Sequence, residues 1–211
     1  MENTAVTVDS VDSLGPAAVA ISFENPGSFD ARPGQFVKVT VETDGDEESR
    51  FYTISSPDVA ETFEITVEVD PGGTVGPRLA DLEAGDTVWL SGPFGNAYYE
   101  EEPRVLVLAG GPGVGPAVGI AERALDDGGE AAIVYRDESP IHRDRLTDLE
   151  SRGVAVRILD PGESLEGAVA EVSMDGQQVF VYGFADFLDA ATRAVAAAGG
   201  EPDAAKVENF G

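Results

Sequence analysis

The 211-residue chain contains no cysteine, one histidine (His142) and lysine at only two positions, Lys38 and Lys206. The missing thiols exclude disulfides, thiolate nucleophiles and cysteine-ligated iron–sulfur clusters. A single histidine offers no metal-ligand spacing, and its neighbours Arg143 and Asp144 give it the look of a surface residue. Neither a Gly-x-Ser-x-Gly elbow nor a phosphate-loop lysine occurs, so hydrolase and nucleotide-triphosphatase chemistry lose their support. No apolar run approaches the roughly 18 residues needed to cross a bilayer. Met1-Glu2-Asn3-Thr4 lacks the basic-then-apolar pattern of a secretion signal. A soluble, cytoplasmic protein is expected.

Basic residues are scarce as a class: 13 against 40 acidic ones, for a net charge of −27. The acids are spread along the chain and form no tail. Such a field repels nucleic acid and anionic membranes. It also strains a compact fold by self-repulsion, which molar salt screens by shortening the Debye length to about 3 Å. The composition reads as adaptation to a high-salt cytosol. An acidic docking surface for one basic partner would instead cluster the carboxylates.

With 42% apolar residues, a real core is available, in one large domain or two of about 100 residues. Residues 4 to 100 read as strands. Short runs such as Thr4–Val11, Ala17–Glu24 and Phe36–Val41 are separated by turn signals. Glu61–Asp70 alternates strictly through Phe63, Ile65, Val67 and Val69, and Asp44–Glu48 reads as an acidic loop. About six such strands predict a small antiparallel barrel or sandwich, with a short helix near 75–82. After Pro103 the grammar changes. Arg104–Ala109 is a continuous apolar run, as in a strand buried on both faces. Helical stretches at 117–127, 143–152, 165–172 and 186–198 then alternate with strands at 131–135, 154–159, 178–182 and 206–208, which predicts a parallel α/β sheet. The expected domains are therefore 1–100 and 103–211.

Four stretches carry candidate chemistry. Arg50-Phe51-Tyr52-Thr53-Ile54-Ser55-Ser56-Pro57 combines a phosphate-matching guanidinium, an aromatic ring and hydroxyls, with Arg50 and Tyr52 on one face of an extended strand. It suits a ligand with a pyrophosphate and a flat ring, or equally a decorated edge strand. Gly110-Gly111-Pro112-Gly113-Val114-Gly115-Pro116 follows a buried strand and precedes a helix. Its glycines admit an anion to a helix N-terminus, or simply make a tight turn. It lacks the Gly-x-Gly-x-x-Gly spacing. Gly183-Phe184 also lies at the carboxyl end of a strand, where open α/β sheets bind ligands. Gly72-Gly73-Thr74 is a second potential phosphate cradle, though a strand-ending turn is the simpler reading. Tyr98-Tyr99 caps a ring or fills the domain interface. Arg136, at the end of the strand 131–135, is placed for a ribose or phosphate, although strand-end arginines are usually surface residues.

Together these stretches resemble the ferredoxin–NADP reductase superfamily of two-domain flavoproteins over nearly the whole chain. Arg50, Tyr52, Thr53 and Ser56 match its flavin motif Arg-x-Tyr-Ser/Thr-x-x-Ser. Gly110–Pro116 resembles its nicotinamide-nucleotide loop, and Gly92-Pro93-Phe94-Gly95 matches the end of its flavin barrel. The resemblance implies an antiparallel β-barrel that binds FAD, followed by an α/β domain that binds NAD(P)H. It implies that Arg50 binds the flavin phosphates, that Tyr52 packs on the isoalloxazine and that Thr53 bonds near its reactive nitrogen, with Ser56 among the cofactor contacts. Val67, Gly72, Gly73 and Thr74 join the expected cofactor contacts. Gly110, Gly111, Gly113, Val114, Gly115, Pro116, Arg136, Gly183 and Phe184 are expected on the nucleotide side. The family's Cys-Gly-Pro appears here as Tyr182-Gly183-Phe184, so a cysteine role does not carry over. The ending Glu208-Asn209-Phe210-Gly211 resembles a Glu-x-Phe terminus, which puts Phe210 beside the flavin.

The implied activity is NAD(P)H-dependent flavin oxidoreduction, with ferredoxin or a similar carrier as partner. The alternative is a flavin-binding electron-transfer subunit, similar to that of dihydroorotate dehydrogenase but without its iron–sulfur cluster. Arg136 leans toward a 2′-phosphate, while Asp137 and Glu138 lean away.

Overall fold

The computed structural model describes residues 1–211 except Ser28 and Asp44. Strands β1 (Thr4–Gly15), β2 (Ala18–Glu24), β3 (Phe36–Thr43), β4 (Asp46–Thr53), β5 (Thr62–Glu68) and β6 (Thr87–Phe94) form one antiparallel sheet ordered β4-β3-β6-β1-β2-β5. Period-2 alternation turns Phe63, Ile65 and Val67 of β5 inward, where they meet Val37, Val39, Val88 and Leu90. The outer edges of the sheet then meet. Ile54, just past β4, bridges Ile65, and the Ser55 N–H donates to the Glu64 carbonyl at 2.8 Å. Closure makes the sheet a barrel, which removes most of its unpaired edge. Helix α1 (Val75–Ala80) packs Val75 and Leu79 into the barrel core.

The second half is a parallel sheet of β7 (Arg104–Gly110), β8 (Glu130–Arg136), β9 (Ala155–Leu159), β10 (Gln178–Gly183) and β11 (Lys206–Asn209), ordered β11-β10-β7-β8-β9. Its apolar run sorts by face. Val105, Val107 and Ala109 of β7 meet helices α2 (Val114–Asp126) and α3 (Arg143–Ser151). Leu106 and Leu108 meet α4 (Leu165–Val172) and α5 (Ala185–Ala197) on the other side. The chain proceeds outward from β7 through β8 and β9, then returns to add β10 on the opposite flank. The strand order therefore reverses between β7 and β10, the arrangement that opens a ligand crevice at their carboxyl ends.

Three local expectations change. Asp46–Glu48 are not loop but the start of β4, with Asp46 opposite Thr43 and Glu47 opposite Glu42. Gly45, at φ +89°, turns the hairpin there, and Asp44 lies outside the described residues. Helix α2 begins at Val114 and not after Pro116. A 3-10 turn over Gly111–Gly113 leads straight into it, and a proline in the first turn removes no needed donor. His142, expected at the surface, is 5% exposed, and its Nε2 lies 2.8 Å from the Thr66 hydroxyl of β5.

His142 belongs to the joint between the two halves. Arg145 of α3 is the centre of that joint. Its guanidinium donates to Glu64 of β5 at 3.0 Å, to the Ser55 carbonyl at 2.7 Å, and to both oxygens of Glu122 on α2 at 2.8 and 2.6 Å. Ser55 is itself fully buried and donates its hydroxyl to Glu64 at 2.7 Å. Helix α2 lies directly on the same segment. A Cβ on Gly119 would stand 2.8 Å from the Ser55 carbonyl oxygen, and one on Gly115 would stand 2.6 Å from the Thr66 hydroxyl.

Replacing Arg145 by methionine strands two carboxylates at a mostly shielded joint. Its side chain keeps 24% exposure, so the expected loss is about 2–3 kcal/mol, below the ~3–5 of a fully buried pair. Denaturant unfolding of the wild type and variant in the same salt measures it. Burial, and then the Arg145 charge, hold the His142 imidazole down at about 3. The unfolded chain takes up that proton below about 6.5, so this stability is complete above pH 6.5 and is lost as pH falls towards 3. His142→Gln should flatten the pH dependence of unfolding in that window by up to about 1.4 kcal/mol per pH unit. A wild-type slope reproduced by the variant would show that other groups carry the acid sensitivity.

Candidate functional site

The carboxyl ends of β7 and β10 face the end of β4, and the three together wall a cleft. Phe51, Tyr52, Thr53, Thr66 and Glu68 come from the barrel, and Pro112, Phe184 and Phe210 from the parallel domain. The cleft measures about 180 Å³. An outer hollow of about 660 Å³ adjoins it, walled by Phe36, Lys38 and Phe94, with Phe51, Thr53 and Phe210 shared. An aromatic-sided slot with hydroxyls at its rim fits a flat heteroaromatic ring.

The strand geometry of β4 explains these placements. Tyr52 faces the barrel core and is half-buried, while Thr53 is buried on the opposite face beside the closure at Ile54. Burial raises the Tyr52 phenol to about 12, against the pull of Arg50, so the ring stays neutral at any working pH. Arg50 is exposed at the outer end. One of its guanidinium nitrogens donates to the Ser49 carbonyl at 2.8 Å, and another lies 3.6 Å from Glu48. The same Glu48 oxygen accepts from the Thr74 hydroxyl at 2.6 Å. The Arg50 and Gly72-Gly73-Thr74 candidates thus converge on one spot, currently bridged by a carboxylate. Gly72 and Gly73 donate their N–H groups to Asp70 at 2.9 Å.

Other expected contacts lie elsewhere. Ser56 accepts the Glu64 N–H at 3.1 Å and faces a separate groove with Arg145 and Glu122. Val67 is fully buried in the barrel core. In the glycine loop, a Cβ at Gly110 would stand 2.5 Å from the Phe187 ring, and one at Gly113 2.4 Å from the Tyr182 carbonyl oxygen. Together with Gly115, these positions are filled by protein. Val114 and Pro116 are buried, and Gly111 with Pro112 forms the part that reaches the cleft side. Gly183, at the end of β10, accepts the Phe210 N–H at 3.1 Å. Phe184 meets Phe210 edge-on at 6.0 Å between ring centroids. Arg136 lies over the Phe187 ring at 5.2 Å and its guanidinium reaches the Glu163 carbonyl at 3.5 Å. Tyr98 and Tyr99 belong to the domain interface and line neither hollow.

The cleft mouth is acidic. Burial, then Asp137, then Asp70 raise the Glu68 carboxyl above its ordinary range. Asp137 lies beside Gly111, within 3.8 Å of where a Cβ would be. Glu68, Thr66 and His142 carried no local sequence signal. Only the strict alternation of β5 places Thr66 and Glu68 on one face at the strand end nearest the crevice.

Residues 6–99 match the oxidoreductase FAD-binding domain family. The glycine betaine monooxygenase reductase subunit of Pseudomonas aeruginosa is 35% identical over 139 residues, covering 64% of this chain and 38% of that protein. The FAD/NAD-binding domain of nitric oxide dioxygenase from Vibrio cholerae superposes over all of both chains with a TM-score of 0.85 at 20% identity. A ferredoxin NADP+ reductase from Neisseria gonorrhoeae, with FAD and NADP bound, does so with a TM-score of 0.81 at 18% identity. At that identity the structural likeness is one of fold. The chain spans well under half the length of the first curated relatives, 38% in each case. Among the described residues, no helix is long and apolar enough to cross a membrane.

Proposed function

We propose that the chain is a ferredoxin–NADP reductase-like FAD-binding oxidoreductase and that it passes electrons between a nicotinamide nucleotide and a one-electron acceptor. The observation that carries this reading is the convergence of Tyr52 and Thr53 with Pro112, Phe184 and Phe210 from the other domain. When bound, FAD accepts hydride and releases single electrons, so the protein needs no acid or nucleophile of its own. Residues 1–100 hold the flavin, and residues 103–211 present the nucleotide. Arg50 pairs with the phosphates, Gly72 to Thr74 extend that cradle, and Glu48 gives way to the incoming anion. Tyr52 and Phe210 bound the ring, and the Thr53 hydroxyl hydrogen-bonds its edge. Ser56 and Val67 support this strand end as framework. Gly111 and Pro112 meet the nucleotide, while Gly110, Gly113, Val114, Gly115 and Pro116 shape the turn beneath it.

Two further features refine the reading. Asp137 beside Gly111, with Arg136 engaged by Phe187 and Glu163, favours NADH over NADPH, because a 2′-phosphate would meet carboxylate. Phe51 and Phe94 are 62% and 41% exposed and cluster with Phe36 beside the cleft. A contiguous aromatic patch suits a docking partner, here a ferredoxin-type carrier. That patch, together with the reductase-subunit relative, also supports a second reading: a flavin subunit that turns over only within a complex. The diffuse acidity, −27 overall, we read as adaptation to molar salt.

Protein purified in molar KCl should be yellow and should bleach anaerobically with NADH faster than with NADPH. A colourless protein that takes up no flavin sinks the proposal, and a yellow one bleached by neither nucleotide favours the subunit reading. Arg50→Ala should weaken FAD retention by roughly 10-fold or more, as expected for a lost charge-assisted contact of about 1.5–3 kcal/mol. Unchanged flavin content would place the phosphates elsewhere. The thermal midpoint should rise from 0.1 to 2 M KCl as self-repulsion is screened, and a flat response would remove the salt reading.

A further inference from the structure

Phe210 is a partition. With Phe51 and Thr53 it stands between the inner cleft and the outer hollow of Phe36 and Phe94, lining both. At about 180 Å³, the inner cleft falls below the roughly 300–1,000 Å³ of small-molecule pockets. Two flat rings enter it only if a wall moves. Phe210, partly buried against the parallel-domain core and edge-on to Phe184, is the wall that β11 carries. It follows a four-residue strand, β11, at the edge of the parallel sheet, and one backbone bond, to the Gly183 carbonyl, holds it there.

Besides its parallel pairing with β10, in which Phe180 to Gly183 stand opposite Lys206 to Asn209, β11 is held by a side chain at its other end, Lys206. The ammonium donates to the Tyr98 carbonyl at 2.8 Å, to Glu100 at 2.8 Å and to Glu102 at 2.6 Å. Three acceptors use all three of its donors. It also lies 5.2 Å from the Phe180 ring centroid and 5.7 Å from that of Tyr98. All three acceptors sit on the segment that leaves the barrel and enters the parallel sheet. The Tyr182 hydroxyl, on the neighbouring strand, donates to the Ala97 carbonyl of the same segment. The side chains of Lys206 and Glu102 are 19% and 17% exposed, so salt screens this clasp far less than a surface pair. In a chain that otherwise uses arginine almost throughout, a compact ammonium stands where three acceptors converge on a point. A planar guanidinium spreads its donors and cannot reproduce that geometry.

We infer that Lys206 is a positioning residue: by clasping the interdomain segment 98–102 it fixes β11, and so sets how firmly Phe210 closes the cleft. Its functional meaning rests on the flavin reading above; the clasp itself does not.

Amide hydrogen exchange tests the clasp in flavin-free protein. Lys206→Met and Glu102→Gln should each speed exchange at Phe210 by about tenfold or more while β7 and β8 stay protected. Lys206→Arg should fall between them and the wild type. In FAD-loaded protein, Lys206→Met should shift the NADH dissociation constant by about threefold or more, and that shift should vanish in a Phe210→Ala background. Unchanged exchange at Phe210, or an equal NADH shift without the Phe210 ring, overturns the inference. If no form takes up FAD yet Phe210 exchange responds to Lys206→Met, the flavin reading fails and the clasp stands.

Discussion

The arrangement depends on one half-buried guanidinium. Arg145 ties α3 to α2 through Glu122 and ties both to the barrel through Glu64 and the Ser55 carbonyl. Those contacts fall two residues beyond Thr53, where β4 ends and the barrel closes. The barrel seam and the domain joint therefore share Ser55 and Glu64, close in sequence to Thr53 and Thr66 of the cleft. A carboxylate shared between Ser55 and Arg145 makes the joint expensive to break from either side, because each partner removed leaves a charge facing low dielectric. The cleft is a product of this joint: Tyr52 and Thr53 face Pro112 and Phe184 only while α2 stays seated on the Ser55 segment.

The architecture was legible in the sequence because period and composition are local properties. Phe63, Ile65 and Val67 announce a half-buried strand, and Val105 to Leu108 announce one covered on both faces. The change between these grammars near residue 100 marks where the barrel's last strand gives way to the first parallel one. The Arg50–Ser56 spacing and the glycine loop were equally local, and of these stretches Phe51, Tyr52, Thr53 and Pro112 line the crevice. What escaped was every contact made across the joint. Glu64 and Arg145 are separated by 81 positions, and Thr66 and His142 by 76. Nothing in Ile141-His142-Arg143 distinguishes a buried histidine from an exposed one, since its burial is created by β5. Ser55, which the flavin motif leaves free to vary, is fully buried for the same reason. Ser56, matched to the flavin motif, and Val67 do not line the cleft: Ser56 faces the groove of Arg145 and Glu122, and strand alternation turns Val67 into the core.

The shortage of cations gives those present distinct tasks. Exposed pairs such as Arg123–Asp127 and Arg157–Glu171 contribute little individually. Arg145 and Lys206, the two that join the halves, are shielded and each meet several acceptors. The −27 charge therefore coexists with a joint whose key contacts are partly shielded from solvent.

The close approaches of the glycine segment have a consequence for descent. Gly110 is pressed by Phe187, Gly113 by the Tyr182 carbonyl, Gly115 by Thr66 and Gly119 by the Ser55 carbonyl. Selection would keep side chains out of these positions even in a lineage that had ceased to meet any nucleotide, because an added methyl would collide within the parallel domain at Gly110 and Gly113 and push the two halves apart at Gly115 and Gly119. The glycine signature can thus outlive the ligand it is usually taken to announce. In divergent copies of this chain, the fate of Tyr52 and Arg50, whose side chains no joint requires, would be the better record of whether the cofactor was retained.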